Sequence, residues 1–329
     1  MTTVAYLLPN TDLHGGNRVP MDQGEELARR GHEVEIWSPS DPPDWHESMV
    51  RFVQANIFAG ELPHPDACIA TFWPTVEPAC ASGASRVFHL CQGFEGIHEE
   101  YRPQLPSIDE AYRKPTHKLV ISPHLADILR DRYGIHARLI GTGIDLRMFC
   151  PAPRLRDSNV LRIGVVGAYG LRPKGVKEVL EGLRLARALG LSFELWRVSS
   201  SGFTPEERAL GLKARCFERL STRSMVEFYR SVDCLIHGSW NEEGFGLPPL
   251  EAGACGCAVA ATDIDPMAAF SKTSILRFPP GRSDVIPEVV RHLEDAETRL
   301  LLRSSFLSDV GRFDVRKVVD RIESALDVR

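Results

Sequence analysis

Two carboxylates with seven residues between them, Glu243 and Glu251, offer the clearest chemistry in the chain. They belong to the stretch Ser239-Trp-Asn-Glu-Glu-Gly-Phe-Gly-Leu-Pro-Pro-Leu-Glu-Ala252. A short apolar run, Asp233-Cys-Leu-Ile-His237, precedes it and reads as a strand. Pro248 and Pro249 fit the first turn of a following helix, where the N–H groups have no intrahelical partner to lose. Glu243 then lies on the loop and Glu251 one turn into the helix. Both sit near a helix N-terminus, whose partial positive charge and free N–H groups attract anions. Gly244 and Gly246 lack Cβ atoms, so the backbone there can approach a ligand closely. Amide donors flanked by two carboxylates suit a ligand that carries both phosphates and hydroxyls.

The elements that must position this stretch form two similar series. In the first, Val4–Leu8 is an apolar strand, followed by the loop Asp12-Leu-His-Gly-Gly-Asn-Arg18, a helix to Arg30 and the alternating strand Glu33–Trp37. This is the opening of a βαβ unit. Further strands are expected at Ala67–Ala70, Arg86–Leu90, Lys118–Ser122 and Ala137–Ile140, with a helix over His124–Tyr133. Ser38 to Pro65 is proline-rich and polar and reads mostly as loop. The tract from Gln92 to Pro115 reads as irregular, and its length marks it as functional. Cys150–Asn159, with prolines and charge but no apolar period, reads as a linker.

The second series begins with a strand at Val160–Gly167 and a helix at Lys174–Leu189, whose Val176, Val179, Leu180, Leu183 and Ala186 share one face. Strands Ser192–Val198, Asp233–His237, Ala258–Thr262 and Ile275–Phe278 follow, with a helix at Ser224–Ser231. The chain ends on a helix with an apolar stripe of Val315, Val318, Val319, Ile322 and Leu326. Two alternating series imply an α/β protein of two doubly wound, Rossmann-like domains, 1–150 and 151–329, facing each other across a cleft. Ligands of such sheets bind beyond the C-terminal strand ends, which makes the cleft the default site. The last helix, about 313–329, is a candidate to pack back on the N-terminal domain.

Composition limits the partners. The 329 residues are 43% hydrophobic and 25% charged, with a net charge of −5 and no long Lys/Arg run, which argues against nucleic acid as a partner. No apolar run reaches the length of a membrane span, so at most peripheral membrane contact is expected. The start lacks the basic region of a signal peptide, and a cytoplasmic location is expected. The eight cysteines are scattered. The close pair Cys255-Gly-Cys257 lacks the second pair or histidines of a zinc site and reads as buried thiols after a helix-ending Gly256. His14, His89, His98 and His237 have no ligand spacing and read as structural, with His14, beside the glycine pair, the exception.

Four stretches in order resemble the family-4 retaining glycosyltransferases of GT-B fold, over most of the chain. Gly15-Gly16, with Arg29-Arg-Gly-His-Glu-Val34, is similar to the family's opening. Gly141-Thr-Gly-Ile-Asp-Leu-Arg-Met-Phe149 is similar to its interdomain signature, with Thr142 where asparagine is usual. Pro173-Lys174-Gly175 is similar to its phosphate-binding lysine, and Ser239–Ala252 to its E-x7-E motif.

The resemblance implies a nucleotide-sugar donor, UDP-, GDP- or dTDP-linked, held mainly by the C-terminal domain. Glu251 would accept from the ribose diol, while Lys174 with Arg172 and Gly175 would meet the diphosphate. Glu243 and the amides of Gly244, Phe245, Gly246 and Leu247 would face the sugar. Gly15 and Gly16 would approach the diphosphate from the other domain. The acceptor would be a saccharide, a lipid-linked sugar or a small molecule, with His14, Thr71, Trp73, Gln92 and Glu95 on its side. No cofactor is expected, and no metal: Lys174 and a helix N-terminus serve the leaving group, and no Asp-x-Asp pair is placed to hold an ion. Configuration would be retained.

Two positions depart from the family's pattern. Ala168 stands where arginine is common, and Ala70-Thr-Phe-Trp-Pro74 where a histidine is common. Base-reading contacts are expected from an Arg215–Ser221 loop. Rival readings are a nucleotide-sugar epimerase or another enzyme of the same fold, and a non-catalytic nucleotide- or sugar-binding protein. A nicotinamide oxidoreductase is weak because Gly164-Val-Val-Gly-Ala-Tyr-Gly170 does not spell G-x-G-x-x-G. Taken alone, Lys174 is also an ordinary helix-start lysine and Glu251 a helix-dipole partner.

Overall fold

A computed structural model describes residues 1–46, 48–152 and 160–327. The expected linker Cys150–Asn159 therefore falls mostly on residues 153–159, outside the described residues. The chain divides into two compact units, Met1–Asp145 with Phe313–Arg329, and Leu146–Arg312.

The first unit contains β1 (Thr3–Leu7), α1 (Gly15–Arg29), β2 (Glu33–Ser38), β3 (Arg51–Gln54), β4 (Ala67–Ala70), α2 (Val76–Ala81), β5 (Arg86–Cys91), α3 (Leu105–Arg113), β6 (His117–Val120), α4 (Pro123–Tyr133) and β7 (Arg138–Leu139). Its strands form one parallel sheet in the order β3-β2-β1-β4-β5-β6-β7. Central strands β1 and β4 are buried almost throughout, which is why they read as continuous apolar runs.

The second unit contains β8 (Leu161–Val166), α5 (Val176–Ala188), β9 (Phe193–Ser199), α6 (Pro205–Ala209), β10 (Ala214–Glu218), α7 (Thr222–Ser231), β11 (Cys234–His237), α8 (Leu247–Ala254), β12 (Ala258–Thr262), β13 (Leu276–Phe278), α9 (Ile286–Glu294) and α10 (Ala296–Asp309). Its parallel sheet runs β10-β9-β8-β11-β12-β13. The Gly256 after α8 adopts φ +80° between the buried Cys255 and Cys257.

The final helix, α11 (Val315–Leu326), belongs to the first unit and buries Val315, Val318, Val319, Ile322 and Leu326. Arg30 beyond α1 reaches Glu323 at 2.6 Å and Asp320 at 2.7 Å. Gly143 admits this helix: a Cβ there would lie 2.8 Å from the Val315 Cα. The close approach lets the Ile144 N–H donate to the Phe313 carbonyl and the Val315 N–H to the Ile144 carbonyl, each at 3.0 Å, across the return of the chain. The Gly141-Thr-Gly143 stretch thus has a packing role within this unit.

Three expectations need correction. The tract Ser38–Pro65 holds the strand β3, Gln92–Pro115 holds α3, and Arg215–Glu218 is part of β10 rather than loop. β3 and β10 are sheet edges, exposed on one side, and edge strands need no run of apolar residues. α3 buries only Ile108, Ala111 and Tyr112, too few for a strong periodic signal. Among the described residues no helix is long and apolar enough to cross a membrane.

One buried ion pair joins α6 to the sheet. Arg197 of β9, 1% exposed, donates to Glu207 at 2.7 Å and to the Val165 carbonyl at 3.3 Å. Removing one member of such a pair strands a charge in the core. Glu207→Ala should therefore cost about 3–5 kcal/mol in urea unfolding at pH 7. Glu194→Ala, which breaks the more exposed pair with Arg162, should cost no more than about 1 kcal/mol. Equal small losses would show that the buried pair contributes nothing to stability.

Candidate functional site

Strand order reverses between β8 and β11 in the second unit, because β8 is followed by β9 on one side while β11 lies on the other. The loops leaving the C-terminal ends of two such neighbours diverge and leave a crevice. The loop after β8 carries Arg172, Lys174 and Gly175; the loop after β11 carries Ser239 through Gly246.

These loops are joined through main chain. Gly175 adopts φ +56°, and a Cβ there would run into the Gly238 carbonyl. A Cβ on Gly238 would in turn lie 2.5 Å from the Gly175 carbonyl oxygen. The Trp240 N–H donates to the Pro173 carbonyl at 3.0 Å. Only glycine permits this crossing, and it brings the Lys174 ammonium to 2.8 Å from Glu243 Oε2.

Glu243 is largely buried, its side chain 12% exposed. Burial opposes its charge. The Lys174 ammonium, the neighbouring His237 and the Ser239 hydroxyl more than offset that, bringing the carboxyl down to about 2. Ser239 Oγ donates to Glu243 Oε2 at 3.0 Å and lies 2.6 Å from His237 Nε2. His237 is fully buried, and burial holds its imidazole down to about 4, so it is neutral near pH 7.

Arg172 takes a different partner from Lys174. Its guanidinium stacks on Trp240 at 4.7 Å and pairs with Glu242 at 2.6 Å. Glu251 lies one turn into α8 and is 3% exposed. Phe245 points into the core against Phe270, so only its main chain is available to a ligand. Gly244 precedes it on the loop, Gly246 caps α8 at φ +95°, and Leu247 is the first helical residue. Because Pro248 and Pro249 lack N–H groups, Leu247 is the one residue in the first three positions of α8 with an amide N–H to offer. The chain does hold one Asp-x-Asp, Asp263-Ile-Asp265, but Asp263 pairs with Arg277 at 2.8 Å.

In the first unit the order reverses between β1 and β4. Gln92 after β5 donates to the carbonyls of Gly16, at 2.8 Å, and Thr71, at 3.5 Å, joining three of the predicted residues. Gly15 opens α1, and the exposed His14 lies against Gly16, where a Cβ would be 3.2 Å from its Nδ1. The Thr71 hydroxyl is held by the Leu7 carbonyl at 2.7 Å. Trp73 packs against the core below β4, and its Nε1 is buried without a partner. Glu95 turns to Tyr112, which donates at 2.8 Å. Burial raises the Glu95 carboxyl to about 7.

Comparison with solved structures decides the architecture. Sucrose-phosphate synthase from Thermosynechococcus elongatus matches with a TM-score of 0.80 and 17% identity, over 99% of this chain and 98% of that one. The Anabaena protein HepE, solved in complex with UDP-glucose, matches with a TM-score of 0.79 and 16% identity, over 99% of both chains. A glycosyltransferase from Rickettsia africae matches with a TM-score of 0.75 and 14% identity, over 98% and 97%. The fold is GT-B. Within this GT-B chain, residues 160–295 match the family model described as "Glycosyl transferases group 1". That span contains Lys174, Glu243 and Glu251. Comparison with curated proteins finds no match.

Sequence reasoning missed His237 and Ser239 as partners of Glu243. The signal was present: residues two apart on an extended chain point to the same side.

The glycine crossing makes a sharp prediction. Gly190 also has positive φ, +84°, but a Cβ there would meet nothing within 4 Å. Gly190→Ala should cost only the roughly 1–2 kcal/mol of left-handed strain. Gly175→Ala should cost clearly more in chemical denaturation, because the Gly238 main chain must move. Equal costs would mean that the two loops are not held by this contact.

Proposed function

We propose that this protein is a glycosyltransferase. In this reading it moves a sugar from a nucleoside-diphosphate donor to a saccharide or glycoconjugate acceptor, with retention of configuration and without a metal ion. The observation that carries the proposal is the Lys174–Glu243 pair, 2.8 Å apart where the strand order of the second sheet reverses. The group 1 match over residues 160–295 and the UDP-glucose bound by the HepE protein support it.

An ammonium has three N–H groups. Glu243 takes one, leaving two for diphosphate oxygens beside the N-terminal amides of α5. Glycosyl transfer builds positive charge on the sugar and negative charge on the departing diphosphate. A preorganised cation at the leaving group acts where that charge develops. Glu243 keeps Oε1 for a sugar hydroxyl, and Glu251 accepts from the ribose. Retention and the absence of a metal requirement rest on the sequence resemblance.

The test is transfer from UDP-, GDP- and dTDP-sugars to saccharide acceptors, read by mass spectrometry with and without EDTA. Transfer should persist in EDTA, and Lys174→Met should lower kcat/KM by about 10²–10³-fold. Glu251→Gln, which preserves the volume of a buried side chain, should weaken nucleotide binding by about 10–100-fold. Unchanged affinity would remove the ribose assignment. Activity lost in EDTA and restored by Mg²⁺ would overturn the metal-free reading, and donor turnover without acceptor would favour an epimerase.

A further inference from the structure

His237, Ser239 and Glu243 form a buried line from the end of β11 to the site, and the chemistry of each group fixes its direction. Ser239 Oγ lies 2.6 Å from His237 Nε2 and 3.0 Å from Glu243 Oε2. A serine hydroxyl has one proton to give, and an ionised carboxylate can only accept. With the Lys174 ammonium 2.8 Å from the same oxygen, the carboxylate is the ionised form. The Ser239 proton therefore points to Glu243, and a lone pair of Ser239 Oγ faces His237. The imidazole must then carry its proton on Nε2.

We propose that His237 and Ser239 are positioning residues. They form a one-way relay, His237 Nε2–H to Ser239 Oγ and Ser239 O–H to Glu243 Oε2, which holds the carboxylate in a single orientation. Oε2 takes both Lys174 and Ser239, so Oε1 alone is presented to a ligand hydroxyl. Swinging the carboxylate would break two charge-assisted hydrogen bonds at once. The relay is itself anchored at both ends. His237 is 2% exposed within the sheet and Ser239 is fully buried. The Thr262 hydroxyl donates to the Ser239 carbonyl, and the adjoining Gly238 is pinned against Gly175.

The consequence for catalysis rests on the glycosyltransferase reading; the direction of the relay does not. In the opposite polarity Ser239 would donate to His237 and turn a lone pair toward the carboxylate, with the imidazole proton on Nδ1. The two polarities are distinguished in the ligand-free protein by the ¹⁵N shifts of the His237 ring, assigned by the signal missing from His237→Gln. A proton on Nε2 is expected, and a proton on Nδ1 overturns the relay.

The kinetic arm measures transfer together with UDP affinity. Ser239→Ala and His237→Leu should lower kcat by about 10–100-fold, the scale of a small misplacement at a reacting centre, while the Kd for UDP stays within about twofold. His237→Gln places an amide N–H near the lost Nε2–H and should recover most of kcat. A His237→Gln enzyme as slow as His237→Leu, or a loss confined to UDP affinity, overturns the positioning role. If the wild-type protein transfers no sugar, the functional proposal fails, and the ring shifts still decide the relay. Where His237→Leu does not fold, the wild-type spectrum and Ser239→Ala carry the test.

Discussion

The contact on which the site depends is a crossing of main chain at two glycines. Gly175 and Gly238 approach so closely that neither position has room for a Cβ. Through that contact the loops after β8 and β11, on either side of the strand-order reversal, become one piece. The Trp240 N–H to Pro173 carbonyl bond extends the join by two residues. Side chains then follow: Lys174 meets Glu243, and Arg172 lies over Trp240. Without the crossing, a lysine and a carboxylate 69 residues apart in sequence would each face solvent. Surface pairs of that kind contribute little.

Electrostatics and burial are balanced around Glu243. Its own burial disfavours charge, and the neighbouring ammonium and hydroxyl restore it. His237 is kept neutral by the same burial, so it adds a hydrogen-bond donor and no net charge. Among the described residues, the result is a carboxylate–ammonium pair with remaining capacity on both partners: one carboxylate oxygen and two ammonium protons. A ligand with hydroxyl and phosphate groups matches that remainder. The first unit shows the opposite case. There burial raises Glu95, which accepts from Tyr112, to about 7.

Much of this was legible in the sequence, for identifiable reasons. Central strands such as Ala67–Ala70 and Ala258–Thr262 are buried on both faces and stand out as apolar runs. Helix α11 announces itself through five apolar residues on one face. The edge strands β3 and β10 did not, because water on one side relaxes the demand for apolar residues. Lys174, Gly175 and Glu243 were named together through the resemblance of Pro173–Gly175 and Ser239–Ala252 to family motifs, and the structure brings Lys174 to 2.8 Å from Glu243. The role of Gly175 was not: a positive φ and a close approach to Gly238 depend on a neighbour 63 residues away. Arg172 read as a phosphate ligand, yet the structure gives it Trp240 and Glu242 as partners. No local pattern encodes that choice.

The central claim is that the joined loops of the second unit hold a nucleoside diphosphate through Lys174. It is tested most directly by melting temperature with UDP, GDP, dTDP, ADP and NAD⁺, for the wild-type protein and Lys174→Met. A ligand at 100 times its Kd stabilises by about 2.7 kcal/mol, a shift of roughly 5–10 °C for domains of this size. One nucleoside diphosphate should give such a shift in the wild-type protein, and Lys174→Met should lose most of it. A shift with NAD⁺ alone, or one that Lys174→Met leaves intact, would contradict the account.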